Sequence, residues 1–175
     1  MTEPMPLSQF LSAPAEDVAE RLDNVAGRRA PAPVLGVLPI GAAEFSGVRY
    51  RIPDDYLARE LRGRKMRTVT EVFDEFAAAF QFPYYFGENK DAFDECLRDL
   101  DEFVGAAQGY VVVIRNAALL LDRQPDERDW FAEAMADCAT IWAARGIPFR
   151  VVLQDATPPG LPVIPLALDP ETENS

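Results

Sequence analysis

The sequence predicts an α/β domain built on a small parallel sheet, on three observations. Short β-branched or alternating apolar runs are separated by longer segments of helical periodicity, in the order β-α-α-β-α-α-β. Helical crossovers of this kind call for parallel strands with right-handed connections. Proline is crowded to the ends: six of the 15 prolines precede residue 40 and five follow residue 157, leaving only Pro83, Pro125 and Pro148 between 56 and 155. The chain therefore divides into a Pro-rich N-terminal extension (1–55), a central domain (56–155) and a Pro-rich C-terminal tail (156–175), with no internal repeat.

In the extension, Ser12 is placed to cap a short helix with Val18 and Leu22 on its apolar face and Gly27 at its end. Val34–Leu38 reads as a strand closed by Pro39, and Phe45–Tyr50 as a second; both would extend a sheet edge. The central domain opens with a strand at Tyr56–Leu61 and a turn at Arg62–Lys65. Thr68-Val69-Thr70-Glu71 has the form of a capping box, and Val72, Phe73, Phe76, Ala77 and Phe80 follow at helical spacing. Gly87 and Asn89 start the next helix, with Phe93, Cys96, Leu97, Leu100 and Val104 as its apolar stripe.

The run Tyr110-Val111-Val112-Val113-Ile114 suits a strand buried on both faces. A short helix at Ala117–Leu121 and a long one at Asp126–Arg145 follow. Trp130, Phe131, Ala134, Met135, Cys138, Ile141 and Trp142 line the inner side of the long helix, and Gly146 stands where a C-terminal glycine belongs. Phe149–Leu153 is the last strand.

Composition removes several classes of function. Lys and Arg number 17 against 29 Asp and Glu, a formal charge of −12, which opposes general nucleic-acid binding and attraction to anionic membranes. The same balance favours steering of a basic protein partner. There is no His, which removes His-activated nucleophiles and most zinc and haem sites. Cys96 and Cys138 fall on apolar stripes and read as buried thiols, with a disulfide as the alternative. Dinucleotide, Walker, nucleophile-elbow and zincin motifs are absent, so neither catalytic residues nor a cofactor or metal is expected. The N-terminus has no basic region followed by a long apolar run, and a cytoplasmic location is expected.

The unusual segment begins at Phe82-Pro83-Tyr84-Tyr85-Phe86-Gly87. Three consecutive aromatics precede a helix crowded with acids: residues 87–102 hold seven carboxylates (Glu88, Asp91, Asp94, Glu95, Asp99, Asp101, Glu102) against Lys90 and Arg98, a local balance of −5. Asp91, Glu95, Asp99 and Glu102 share one helix face, where like charges cost the helix a few tenths of a kcal/mol each. A solvated surface explains Glu88 and Asp91, which complement the helix dipole. It explains Asp99, Asp101 and Glu102 poorly, because they stand toward its negative end. A functional acidic face is the better reading. Some of Tyr84, Tyr85 and Phe86 must plug the core, and at least one is expected to be exposed as a binding anchor. A second charged group, Arg59, Arg62, Arg64, Lys65 and Arg67, reads as a turn whose cations sit in water or balance the acids, with contact to nucleic acid or an acidic partner as alternatives.

Residues Tyr85-Phe86-Gly87-Glu88-Asn89-Lys90-Asp91-Ala92-Phe93-Asp94-Glu95-Cys96-Leu97 resemble the barstar family, whose pattern is Tyr-Tyr-Gly-Glu-Asn-x-Asp-Ala-x-x-Asp-Cys-Leu. The capped helix, the strand at 110–114, the long helix and the strand after it fall in the family's order, so the resemblance spans roughly 56–155. It implies a three-stranded parallel sheet packed with helices, and an intracellular inhibitor of a ribonuclease or nuclease toxin. The family's loop and acidic helix enter a cleft that is basic because it holds RNA phosphates, and carboxylates take their place. Carried over, the partner-binding residues are Tyr85, Phe86, Gly87, Asn89, Asp91, Asp94, Glu95, Arg98 and Asp99.

The departures are specific. Phe86 replaces a Tyr, and Glu95 replaces the central inhibitory Asp. Asp94 and Leu100 stand where the family has Trp, Arg98 and Asp99 replace Thr and Gly, and Ile141 falls where a further acid is expected. These changes argue against a fit to barnase itself and for a related secreted guanyl-type ribonuclease or a toxin nuclease domain. The alternatives are an interaction module of the same fold with a non-nuclease partner, and a small acidic hydrolase.

Overall fold

A computed structural model describes residues 3–12 and 34–170. All the strands among the described residues lie in one six-stranded sheet in which every pair is parallel. The strands are β1 (Met5–Pro6), β2 (Leu35–Leu38), β3 (Tyr56–Arg62), β4 (Gly109–Arg115), β5 (Phe149–Gln154) and β6 (Ile164–Ala167), in the spatial order β1-β6-β2-β5-β4-β3. The α-helices among the described residues are α1 (Leu7–Ser12), α2 (Ala42–Phe45), α3 (Val69–Phe80), α4 (Lys90–Arg98), α5 (Leu100–Val104) and α6 (Arg128–Ala144).

The three strands of the expected central sheet are the adjacent β3, β4 and β5, but the sheet has twice that number. The strand expected at Val34–Leu38 is present as β2, paired on both sides by β5 and β6 and so not at an edge, and β1 and β6 add two strands from the flanks that were not expected. β1 is two residues long and β6 carries Pro165, features that pattern reading discounts because proline cannot donate to the ladder.

The alternation of side chains across the strands builds two cores. On one face Leu61, Tyr110, Val112, Ile114, Phe149, Val151 and Leu153 pack under α3, α4, α5 and α6. On the other, Val111, Val113, Val152, Ile164 and Leu166 pack under Phe10 of α1, Phe45 of α2, Val48 and Ile52. Asp169 caps α1 by accepting from Ser8 N and Oγ, while Arg150 Nε and Tyr56 Oη donate to Phe10 O and Leu11 O near its other end.

Several local expectations are corrected. Phe45–Tyr50 is not a strand: α2 ends at Phe45 and Val48–Arg51 forms a 3-10 turn, which puts Phe45, Val48 and Ile52 on one buried side. Ser12 is the last residue of α1 and donates through Oγ to Ser8 O; the helix that it was expected to cap, around Val18 and Leu22, lies outside the described residues. The helix expected from Asn89 to Val104 breaks at Asp99, which has φ −113° and ψ 25°. The break frees Leu97 O from the helical ladder, and it accepts instead from Trp142 Nε1 at 2.9 Å and from Cys138 Sγ. Ala117–Leu119 and Pro125–Glu127 are 3-10 turns, the latter leading into α6.

Other features stand as read. Thr68 Oγ1 accepts from Glu71 N at 3.3 Å, although Glu71 reaches back to Arg67 N, one residue before the cap. Gly146 has φ +74° after α6. Both cysteines are free and buried, and burial pushes the Cys96 thiol up to about 11.

Candidate functional site

The loop between α3 and α4 is shaped by where its aromatic rings can go. Gln81 ends α3 in the left-handed region, with φ 55°. Phe82 and Phe86 then turn inward: their rings pack at 5.3 Å on each other, Phe86 stands edge-on to Phe73 at 5.8 Å, and Phe82 reaches Phe93 at 6.3 Å. Between them Tyr84 is 100% exposed and Tyr85 70% exposed. Phe86 is thus the plug beneath the loop and Tyr85 its exposed aromatic, joined by Tyr84, which the resemblance does not single out.

Asn89 fixes the start of α4. Its Oδ1 accepts from Ala92 N at 2.8 Å, the N-cap bond, and its Nδ2 donates to Gly87 O at 3.3 Å. A Cβ at Gly87 would lie 2.9 Å from Asn89 Nδ2, so glycine keeps this corner open. Lys90 fastens the same end to the neighbouring helix: Nζ donates to Glu127 at 2.6 Å and lies 5.1 Å from the centre of the Trp130 ring. Asn89, predicted as a binding residue, has its amide engaged within the chain. Lys90 was not predicted, and its pairing across 37 positions leaves no local signal.

Beyond the cap, Phe93, Cys96 and Leu97 face the core, while Asp91, Glu95, Arg98 and Asp99 are exposed. Glu102 is exposed too, but on α5, past the break at Asp99. Among the described residues, Glu88, Asp91, Glu95, Asp99 and Glu102 have no salt-bridge partner within 4.0 Å. Asp101 differs: Arg145 Nη2 donates to it at 3.0 Å. Asp94 is half-buried, and desolvation raises its pKa above the ordinary carboxylate value; Arg98 opposes this, and Asp137 and Asp91 add to it.

The basic cluster is largely spent inside the fold. Arg62 holds Glu75 with two guanidinium nitrogens, Arg67 holds Asp122 in the same bidentate way, and Arg59 Nε donates to Ala79 O at 2.9 Å. Its acidic partners come from α3 and from the segment after β4, not from α4. Among the described residues no group of three or more His, Cys, Asp and Glu side chains is placed to hold a metal ion. No helix among them is long and apolar enough to cross a membrane.

The surface so assembled is a projecting loop tip beside one carboxylate-bearing face. The family model for Barstar (barnase inhibitor) matches residues 56–154, more than half of the chain. The chain belongs to the Barstar family. The match runs from the first residue of β3 to the last of β5 and takes in α3 to α6, so the loop, Asn89 and the acids of α4 all lie within the Barstar segment. β1, β2, α1 and α2 precede it and β6 follows it. No curated protein matches the chain.

Proposed function

We propose that this protein inhibits a basic ribonuclease or a nuclease toxin domain, blocking its active site with α4 and the tip of the preceding loop. The observation that carries the reading is the set of salt-bridge-free carboxylates at Glu88, Asp91, Glu95 and Asp99, beside an exposed Tyr85 and inside the Barstar segment. Carboxylates left in water lose little until a cation-lined cleft meets them. There they form charge-assisted hydrogen bonds in the place of RNA phosphates.

In this reading Tyr85, Asp91, Glu95 and Asp99 touch the partner, with Asp94 and Arg98 at the border. Phe86, Gly87 and Asn89 hold the loop in shape. The protein works without catalytic residues or cofactor, and acts in the cytoplasm, where cellular RNA needs protection.

The test is recovery of a partner by the tagged chain at low salt, followed by an RNA-cleavage assay of that partner. A basic nuclease whose cleavage is suppressed at stoichiometric inhibitor is the expected result. Its association rate should fall as salt rises, since exposed charges are screened over about 10 Å at 0.1 M. Recovery of a non-nuclease partner, with no suppression of any basic ribonuclease, would point to the interaction-module reading instead.

A further inference from the structure

The turn that carries the exposed rings departs from what turn chemistry selects. Phe86 N donates to Pro83 O at 2.9 Å, closing a four-residue turn whose corners are Tyr84 and Tyr85. Corner positions favour Pro, Gly, Asn, Asp and Ser, which preset or tolerate the backbone angles a turn requires. Two tyrosines supply none of this. The turn is already pinned at both ends by Phe82 and Phe86, so the rings at its corners are not needed to hold it down. They meet only edge to face, with centroids 5.6 Å apart and planes at 82°, a geometry that leaves at least one face of each ring open.

Elsewhere the chain covers ring faces with its own cations: Lys90 lies over Trp130, Arg145 over Trp142 and Arg49 over Tyr50. Among the described residues none lies over Tyr84 or Tyr85. The loop that carries these open faces leads directly into Glu88 and, past the Asn89 cap, into the exposed carboxylates Asp91 and Glu95 of α4.

We infer that Tyr84 is a second aromatic anchor of the binding surface, and that its ring receives an Arg or Lys side chain from the rim of the partner's basic cleft. This rests on the inhibitor reading and adds a residue to it. A cleft that accepts several carboxylates is lined by cations, and a cation within about 6 Å of a tyrosine ring centre is attracted by the negative potential over its face. The acids beside the loop hold the same cations near the ring. Tyr84 therefore selects partners that carry positive charge beyond the catalytic cleft, on the wall facing the loop.

The experiment compares Tyr84→Ala, Tyr84→Phe and Tyr84→Leu in the full chain. The probes are a set of purified, catalytically inactivated basic guanyl-type ribonucleases and nuclease toxin domains; equilibrium dissociation constants and thermal unfolding of each free variant are measured. All three variants should unfold with the parent, because the Tyr84 side chain is fully exposed. Tyr84→Ala should weaken binding about tenfold, Tyr84→Phe should stay within about threefold, and Tyr84→Leu should lose as much as Tyr84→Ala. Tyr84→Ala binding as tightly as the parent overturns the inference while leaving the inhibitor reading in place. Tyr84→Leu binding like the parent overturns the cation partner, since plain apolar contact would then suffice. A parent chain that binds none of these ribonucleases and toxin nucleases contradicts the inhibitor reading, and this inference with it.

Discussion

Asp94 is the acid whose environment differs most from the rest of its helix. Water is partly removed from it, and Asp137 and Asp91 add negative charge nearby, so its carboxyl holds its proton more tightly in the folded chain than in the unfolded one despite Arg98. The sign follows from linkage. A carboxyl with a raised folded pKa favours folding at low pH, and that advantage is lost as the pH climbs through the unfolded and then the folded value. Asp94→Asn should therefore melt at a higher temperature than the parent at pH 7 and show no such gain at pH 3. Thermal unfolding at the two pH values checks this, and a lower melting temperature at pH 7 would show that the charge is favourable. The residue scale also shows what the sequence conveys about the site. The exposure of Asp91, Glu95 and Asp99 was legible because the apolar stripe Phe93, Cys96, Leu97 fixes the opposite face. The inward turn of Phe86 was not, since three adjacent aromatics carry no signal of which one meets Phe73.

At the scale of elements, α4 is short, carries Asp91 and Glu95 one turn apart, and is held at its start by Asn89 and Lys90. Removing the cap oxygen leaves the Ala92 N–H without its partner, so Asn89→Ala should cost about 1 kcal/mol of stability, with Asn89→Asp restoring most of it. Denaturant midpoints of the two variants measure the difference; equal midpoints for Asn89→Ala and the parent would mean that packing alone sets the helix start. Strands β3, β4 and β5 were readable from their β-branched or alternating runs. The turn at Val48–Arg51 was not, because Phe45, Val48 and Tyr50 have strand-forming side chains while the chain between them coils to bury Phe45 and Val48 together. The break at Asp99 was hidden for a different reason: it is stabilised by Trp142, 43 positions away, whose indole takes up the nearby Leu97 carbonyl.

For the whole molecule, the run Tyr110–Ile114 is buried on both faces, and a parallel sheet of this kind needs cover on both. Helices α3 to α6 provide one cover. α1, α2 and the turn after α2 provide the other, and they come from residues read as an extension. We propose that the extension and the tail complete the folding unit around residues 56–155. Phe10→Ala, which empties a fully buried site under β5, should then destabilise the entire chain by about 3–5 kcal/mol. Trp142 lies in the opposite core, so its fluorescence should report the same shift in unfolding as far-ultraviolet dichroism. An unchanged Trp142 transition would mean that the outer layer unfolds separately.

The central claim is that the acidic face of α4 enters a nuclease. Glu95 lies exposed on that face without a salt-bridge partner, whereas Asp101 is held by Arg145. The most direct measurement is the affinity of the parent, Glu95→Ala and Asp101→Ala for the recovered nuclease, alongside thermal unfolding of each free protein. Glu95→Ala should lose about 2–5 kcal/mol of binding, a range that comes from measured interfacial charge pairs, barnase–barstar among them, and not from this surface. Asp101→Ala should lose much less, and Glu95→Ala should unfold with the parent. Glu95→Ala binding as tightly as the parent would contradict the account, because the acids of α4 would then be ordinary solvated surface.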